Sequence, residues 1–173
     1  MALNVSVRPA GIEDIGLIQQ MADVVFRKTY ASILSPSQME YMMNWMYSTE
    51  SLYGQIAGKD KYFRIAMADG QPAGYVSFEF ERRLDDGRNL YHLQKLYAMP
   101  QYQHSGVGRD MIEHVESFLR SINPDGCRIE LNVNRNNAAV GFYRHMGLYC
   151  DRQGDFPIGN GFYMNDYIFA IDM

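Results

Sequence analysis

The sequence predicts an α/β fold: a central mixed sheet of six or seven strands, with N-terminal helices on one side and later helices over both faces. Three observations lead there. An N-terminal stretch with helical periodicity is followed, over residues 62–98, by three runs of strand character separated by turn signals. Beyond residue 98 the order becomes strand, helix, strand, helix, strand, which requires parallel neighbours somewhere in the sheet. Finally, 173 residues with 47% hydrophobic and 21% charged side chains suit one domain, residues 1–173, with a sizeable core.

The elements follow in order. Val5 and Val7 alternate with polar residues as a short strand ending before Pro9. Ile15, Ile18, Ala22, Val25 and Phe26 recur at helical spacing within residues 12–30, and Glu13 and Asp14 suit the positive end of that helix. Ser35 and Pro36 read as N-cap and first residue of a second helix, with Met39, Met42, Met43 and Met46 along one face. That stripe reads as core, with a pliable wall over a substrate site as the alternative. A short helix is expected over residues 51–57.

Residues 62–68 and 73–80 form a hairpin about Asp69-Gly70, and residues 90–98 a further strand after Asp85-Asp86-Gly87. Residues 106–122 carry one apolar stripe of Val107, Met111, Val115 and Ile122, with Phe118 or Leu119, and end at Asn123-Pro124-Asp125-Gly126. Ile129, Leu131 and Val133 alternate as a strand. Residues 137–146 read as a helix stopping at Gly147, and residues 161–171 as a closing strand.

Composition excludes several classes. Sixteen Lys plus Arg against twenty Asp plus Glu gives a net charge of −4, a poor basis for nucleic-acid binding. Two cysteines, Cys127 and Cys150, are too few for a disulfide scaffold and lie at no metal-ligand spacing, so no metal is expected. No apolar run approaches the ~20 residues of a membrane span, and residues 1–9 lack the apolar core of a signal peptide. These features predict a soluble, cytoplasmic protein. Exposed sheet edges make a homodimer plausible, with nothing in the sequence to fix it.

The stretch richest in chemistry runs from Leu96 to Arg109. A strand leads through Pro100 into Gln103-His104-Ser105-Gly106-Val107-Gly108-Arg109 and then a helix. Gly106 and Gly108 let backbone amides approach an anion, and the helix start adds free N–H groups and a positive dipole end. Together these suit a phosphate, most simply a pyrophosphate. The bare pattern arises by chance in about one chain in six of this composition; its place between strand and amphipathic helix carries the reading. It is neither a Walker A loop, lacking Gly-Lys-Ser/Thr, nor a dinucleotide fingerprint, lacking the third glycine.

Gln103-x-x-Gly106-x-Gly108 after Leu96-Tyr97-Ala98-Met99-Pro100 resembles the acetyl-CoA pyrophosphate loop of the Gcn5-related N-acetyltransferases (GNAT). A second block agrees: Leu131-Asn132-Val133-Asn134 entering Asn137-Ala138-Ala139-Val140-Gly141-Phe142-Tyr143, then Gly147-Leu148. Residues 26–30 and 159–164 look similar to a bacterial branch of polyamine N-acetyltransferases. The resemblance implies a mixed, mostly antiparallel sheet with a splayed parallel pair holding acetyl-CoA as co-substrate. It further implies that the backbone of Leu96, Tyr97 and Ala98 pairs with the pantetheine arm. Amides from His104 to Arg109 would hold the pyrophosphate, Asn137 (or its neighbour Asn136) would contact the cofactor arm, and Tyr143 would be the general acid at sulfur. A core tyrosine beside Phe142 is the other reading of Tyr143.

The base is where the sequence departs from the family. Many members carry a Glu on the strand entering the loop, whereas this chain reads His92-Leu93-Gln94-Lys95. Gln94 cannot act as a base and Lys95 is normally charged. His92 has a suitable intrinsic pKa near 6.5 and is the candidate, against a plain strand histidine. Glu79 and Glu81 could act through water, attract a cationic amine, or be solvated strand faces. Tyr163 and Asp166 read as packing and a turn, or as lining of the acceptor site. His114 and His145 read as surface residues, Arg82-Arg83 as a solvated pair, and Trp45 as packing the N-terminal helices or flanking the groove.

The sequence thus predicts an acetyl-CoA-dependent N-acetyltransferase in which a primary amine attacks directly in a ternary complex. The acceptor is a small molecule such as a polyamine. A protein N-terminus or side-chain amine, or a CoA-binding regulatory module without turnover, are the alternatives.

Overall fold

The computed structural model describes residues 2–173, and Met1 lies outside them. Seven strands form one sheet: β1 (Val5–Pro9), β2 (Lys61–Ala68), β3 (Gln71–Arg83), β4 (Asn89–Ala98), β5 (Cys127–Asn134), β6 (Tyr149–Gly159) and β7 (Phe162–Asp172). Their order is β1-β2-β3-β4-β5-β7-β6, and every neighbouring pair is antiparallel except β4 and β5. The helices are α1 (Ile15–Tyr30), α2 (Pro36–Tyr47), α3 (Thr49–Ala57), α4 (Val107–Ile122) and α5 (Ala139–His145).

Local chemistry sets the boundaries. Before α1, Asp14 closes a tight turn by accepting from the Gly11 amide at 2.8 Å and from both Arg8 guanidinium nitrogens at 2.9 Å. Ser35 caps α2 as expected: its Oγ accepts from the Gln38 amide at 3.2 Å, while Gln38 Oε1 accepts from the Ser35 amide at 3.0 Å. Asp69 and Gly70 both take positive φ, 49° and 80°, which matches the twist of the β2–β3 hairpin.

Two apolar cores flank the sheet. On one face Ile18, Ala22, Val25 and Phe26 of α1, Met39 and Met42 of α2 and Leu52 of α3 pack on Phe63, Ile65 and Tyr75. On the other, Val107, Met111, Val115 and Leu119 of α4 and Tyr143 of α5 pack on Val76, Phe78, Ile129, Leu131 and Phe169. The methionine stripe is therefore core at Met39 and Met42, with Met43 and Met46 half-buried.

Four expectations need correction. The later helices cover one face only. On the opposite face of β5 to β7, Arg128, Glu130 and Arg152 form an ion-pair network with Asp151 and Asp172, which offers a helix no apolar stripe. The sequence reading also missed β6, an edge strand exposed throughout its first half and carrying Gly154 and Pro157, so its alternation is confined to Phe156 and Ile158. Finally, His114 is half-buried with Nε2 enclosed and unpartnered, and Trp45 is 50% exposed, stacked on Tyr41 rather than packed between helices.

The Arg8–Asp14 pair yields a pH prediction. The Arg8 hydrogen bonds hold the Asp14 carboxyl below its ordinary value. A depressed folded-state pKa means stability that is complete above the unfolded value, near 3.8, and lost as pH falls through the lower folded one. Asp14→Asn is expected to cost about 1–2 kcal/mol at pH 7, discounted because Arg8 is partly exposed. Urea melts at pH 7 and pH 3 should show the difference shrinking at the acid end.

Candidate active site

The parallel pair decides where the site lies. β4 and β5 are in register from Asn89–Cys127 to Leu93–Leu131, and the pairing then stops although both strands continue. At the same point β4 carries a bulge. Ser77 pairs with Lys95 and Phe78 with Leu93, which leaves Gln94 as the extra residue. The bulge also switches the faces. Tyr91 and Leu93 pack in the α4 core, while Lys95 and Tyr97, which even spacing would place beside them, turn toward α1 to α3.

Beyond the bulge β4 has one free edge. The Met99 amide donates to the Ala73 carbonyl at 2.8 Å, so by antiparallel alternation Tyr97 and Lys95 direct their backbone groups to β3. Leu96 and Ala98 then direct theirs into the gap beside β5. Gln103 Nε2 donates to the Ala98 carbonyl at 3.3 Å across the mouth of this gap.

The gap opens into a cavity of about 510 Å³, within the usual range for small-molecule sites. Leu96, Tyr97, Ala98, Gln103, His104, Gly106, Gly108, Arg109, Asn137 and Tyr143 all line it. Ser105 and Val107 do not. Val107 is fully buried in the core, and Ser105 Oγ donates back to the Tyr102 carbonyl. The backbone of Val107 still belongs to the helix start: the first intrahelical bond is Asp110 N to Gly106 O at 3.0 Å, which leaves the amides of Val107, Gly108 and Arg109 without intrahelical partners. Gly106 reaches this geometry with φ of +97°, a conformation that L side chains adopt only under strain. A Cβ on Gly108 would lie 3.2 Å from the Phe142 ring, so the glycine lets α4 and α5 meet closely.

Asn137 and Tyr143 are held from the β5 side. Asn137 Oδ1 accepts from the Ala139 amide at 2.9 Å, starting α5, and its Nδ2 approaches Tyr30 Oη at 3.5 Å. Asn136 is exposed and does not line the cavity, which separates the two asparagines. Tyr143 is 6% exposed and packs edge-on against Phe169 and Phe142. Burial pushes its phenol well above the ordinary value.

A family profile described as "Acetyltransferase (GNAT) domain" matches residues 30–156. The chain belongs to the GNAT acetyltransferase family. Its reaction is acetyl-CoA-dependent N-acetyl transfer, with acetyl-CoA as co-substrate. It is 25% identical over 150 residues, 84% of this chain and 89% of the relative, to the spermidine N(1)-acetyltransferase of Thermoplasma acidophilum. The fold is similar to PaiA N-acetyltransferase from Thermoplasma acidophilum in complex with coenzyme A. There the TM-score is 0.78 and the identity 23%, covering 96% of this chain and 98% of that one. It is also similar to the ribosomal-protein-S18-alanine N-acetyltransferase from Escherichia coli, with TM-score 0.68, identity 16%, and coverage of 98% and 94%.

In this GNAT chain the sequence reading missed the contribution of α1. Val25, Lys28, Thr29 and Tyr30 line the cavity opposite the loop. Tyr30 closes the apolar stripe of α1, which reads as core, and Lys28 and Thr29 carry no signal beyond the resemblance of residues 26–30 to the polyamine-acetylating branch. Tyr30 Oη also meets Tyr97 Oη at 3.3 Å, joining α1 to β4 at the cleft. His92 stands just outside the lining, with Nδ1 3.2 Å from Glu81 Oε2. Its neighbour Gln94 is at the cavity and donates to Glu79 Oε1 at 3.0 Å.

The bulge removes Lys95 from the cleft and buries it over the Tyr47 ring, donating to Gln55 Oε1 at 2.6 Å. Burial pulls its ammonium down to about 8 from 10.5. The unfolded chain then binds the extra proton between those values, so this group's contribution to stability rises as pH climbs from about 8 to 10.5. Lys95→Met has no such proton. The stability difference between variant and wild type should move toward wild type by about 2 kcal/mol between pH 8 and pH 10, read by urea melts at those two values.

Proposed function

We propose that this chain, as one domain, acetylates a primary amine of a small molecule, with polyamines the leading class, by direct attack in a ternary complex. The observation that carries the reading is the convergence on one cavity of a free strand edge, unpaired helix-start amides and a buried tyrosine. A thioester arm can add to the Leu96–Ala98 edge as an extra strand. Amides of His104 and of Gly106 to Arg109 then receive the pyrophosphate, the Ser105 amide being spent on the Tyr102 carbonyl at 3.3 Å, with Arg109 and Lys28 as flanking cations. Asn137 keeps its Nδ2 available to the arm, since its only partner there is distant. The polyamine class is supported by the spermidine-acetylating relative and by Glu79, Glu81 and the chain's net negative charge. Two free cysteines suit a reducing, cytoplasmic setting.

The chemistry assigns two proton transfers. A primary amine of pKa about 10.4 must shed a proton, at about 4.6 kcal/mol at pH 7. After its nitrogen attacks the carbonyl carbon, the departing thiolate needs stabilisation. Tyr143 faces the cavity without a protein partner for its hydroxyl among the described residues, and serves there as hydrogen-bond donor and late acid. His92, tied to Glu81, carries the amine's proton outward to solvent.

Thiol release from acetyl-CoA should be measured across polyamines, arylalkylamines, amino acids, aminoglycosides and peptide N-termini. A saturable rate with a polyamine is expected. Saturation only with peptide N-termini would move the acceptor to a protein, and acetyl-CoA binding with no amine-dependent rate would point to a regulatory module. Tyr143→Phe should lower kcat by about 10²-fold or more, with the acetyl-CoA Kd by calorimetry changed less than about threefold. Gly106→Ala should do the reverse. Holding an alanine at the positive φ costs about 1–2 kcal/mol, and relaxing that strain turns amides away, weakening acetyl-CoA by about tenfold while kcat at saturation holds.

A further inference from the structure

The strand entering the cleft brings no carboxylate, yet one arrives from β7. Asp166 pairs with Asn134 across the β5–β7 ladder, so both side chains leave the same face of the sheet. Asn132, two residues along that face, lines the cavity and donates through Nδ2 to Asp166 Oδ2 at 3.2 Å. Asp166 is 5% exposed. Its second oxygen, Oδ1, is buried and has no partner among the described residues, and Asp166 stands behind Asn132 rather than in the cavity lining itself.

An unpartnered buried carboxylate oxygen is costly, and native folds seldom keep one without a use. The groups around Asp166 do not relieve it. Arg135, after β5, is close enough to favour the charged form but spends its guanidinium on Gln153 and Asp155 of β6. His92 of β4 acts from the same side, and Tyr30 of α1 feels the carboxylate from across the cavity wall. What this corner lacks is a donor bearing positive charge beside Oδ1.

We propose that Asp166 Oδ1 receives the acceptor's reacting ammonium group and takes its proton. This rests on the reading of the chain as an enzyme using direct amine attack. An ammonium N–H donates to Oδ1, and the proton passes to the carboxylate. The freed lone pair forms the C–N bond at the thioester carbonyl carbon. As the C–S bond breaks, the second amine proton reaches sulfur through Tyr143. The proton on Asp166 leaves through His92 and Glu81. Burial pushes the Asp166 carboxyl up, which narrows its gap to the amine.

The test compares wild type with Asp166→Asn and Asp166→Glu on whichever amine the wild type turns over. Asp166→Asn is expected to lower kcat/KM for the amine by about 10²-fold or more. Its acid limb in the pH profile should disappear, so that the rate follows the amine's own ionisation. Its acetyl-CoA Kd should stay within about twofold and its Tm should not fall. Asp166→Glu should recover part of the rate. Wild-type turnover with an Asn variant that keeps its rate and pH profile overturns the proposal but leaves the transferase reading intact. Loss of activity together with a lowered Tm and weakened acetyl-CoA binding overturns it in favour of a structural role. A readout independent of turnover is the ¹³C carboxyl resonance of Asp166, titrated with spermidine in the presence of CoA. A saturable shift is expected, and its absence overturns the proposal even where no amine is acetylated.

Discussion

Five residue pairs hold β4 against β5, and the ladder ends where Gln94 is inserted. Most of the site follows from that interruption. Had the pairing continued to Ala98, the Leu96 and Ala98 backbone groups would be spent on β5, and the space now lined by Leu131, Asn132 and Val133 would be closed. The bulge both strengthens the local twist and exchanges the faces of the strand. It therefore separates the strands and hands Tyr97 to α1 and Lys95 to α3 in one step. The cost is a set of unpaired backbone groups, and Gln103 meets part of it by donating to the Ala98 carbonyl.

The two halves of the sheet divide the remaining work. Between β1 and β4 both faces are covered by apolar cores, which makes a rigid base for the cleft. From β5 to β6 one face is left to Arg128, Glu130, Arg152 and their carboxylate partners. Helices at that face would occlude the approach to β7. The network instead orders the strands with side chains short of a second core, and the face stays open at Asn132, beneath which Asp166 is buried. The cofactor-side elements, α4 and α5, lie against the opposite core. Acetyl donor and amine can thus come from different sides of one sheet and meet where the strands part.

Much of this was legible in the sequence, for identifiable reasons. Helices α1, α2 and α4 show their buried stripes directly, and Ser35-Pro36 announces its cap. The loop from Gln103 to Arg109 and the block ending at Tyr143 are local in sequence, so the resemblance could place them residue by residue. What escaped depends on tertiary pairing. The bulge at Gln94 is a mismatch between two strands, and no single strand records it. Edge strand β6 is exposed over its first five residues and alternates only weakly beyond them. Tyr30 enters the cavity from a position whose own sequence reads as core, and Asp166 reads as a turn or as acceptor-site lining with nothing local to choose between them.

Burial is common to the tyrosines around the cleft and to Asp166. Tyr30, Tyr47, Tyr75, Tyr97 and Tyr143 are all pushed up by it, and Asp166 likewise. For Tyr143 in isolation this makes proton donation harder. The thiolate it faces is formed in the same poorly solvated space, however, and a buried thiolate is destabilised by the same cause. What governs transfer is the gap between phenol and thiol, and that gap changes far less than either value. At Asp166 the direction is favourable outright, because a carboxylate raised by burial and an ammonium lowered by it converge. With Tyr143 and Asp166 in the proposed roles, burial thus brings donor and acceptor closer in proton affinity at both ends of the reaction. This is a physical reason for surrounding the site with aromatic rings rather than with water.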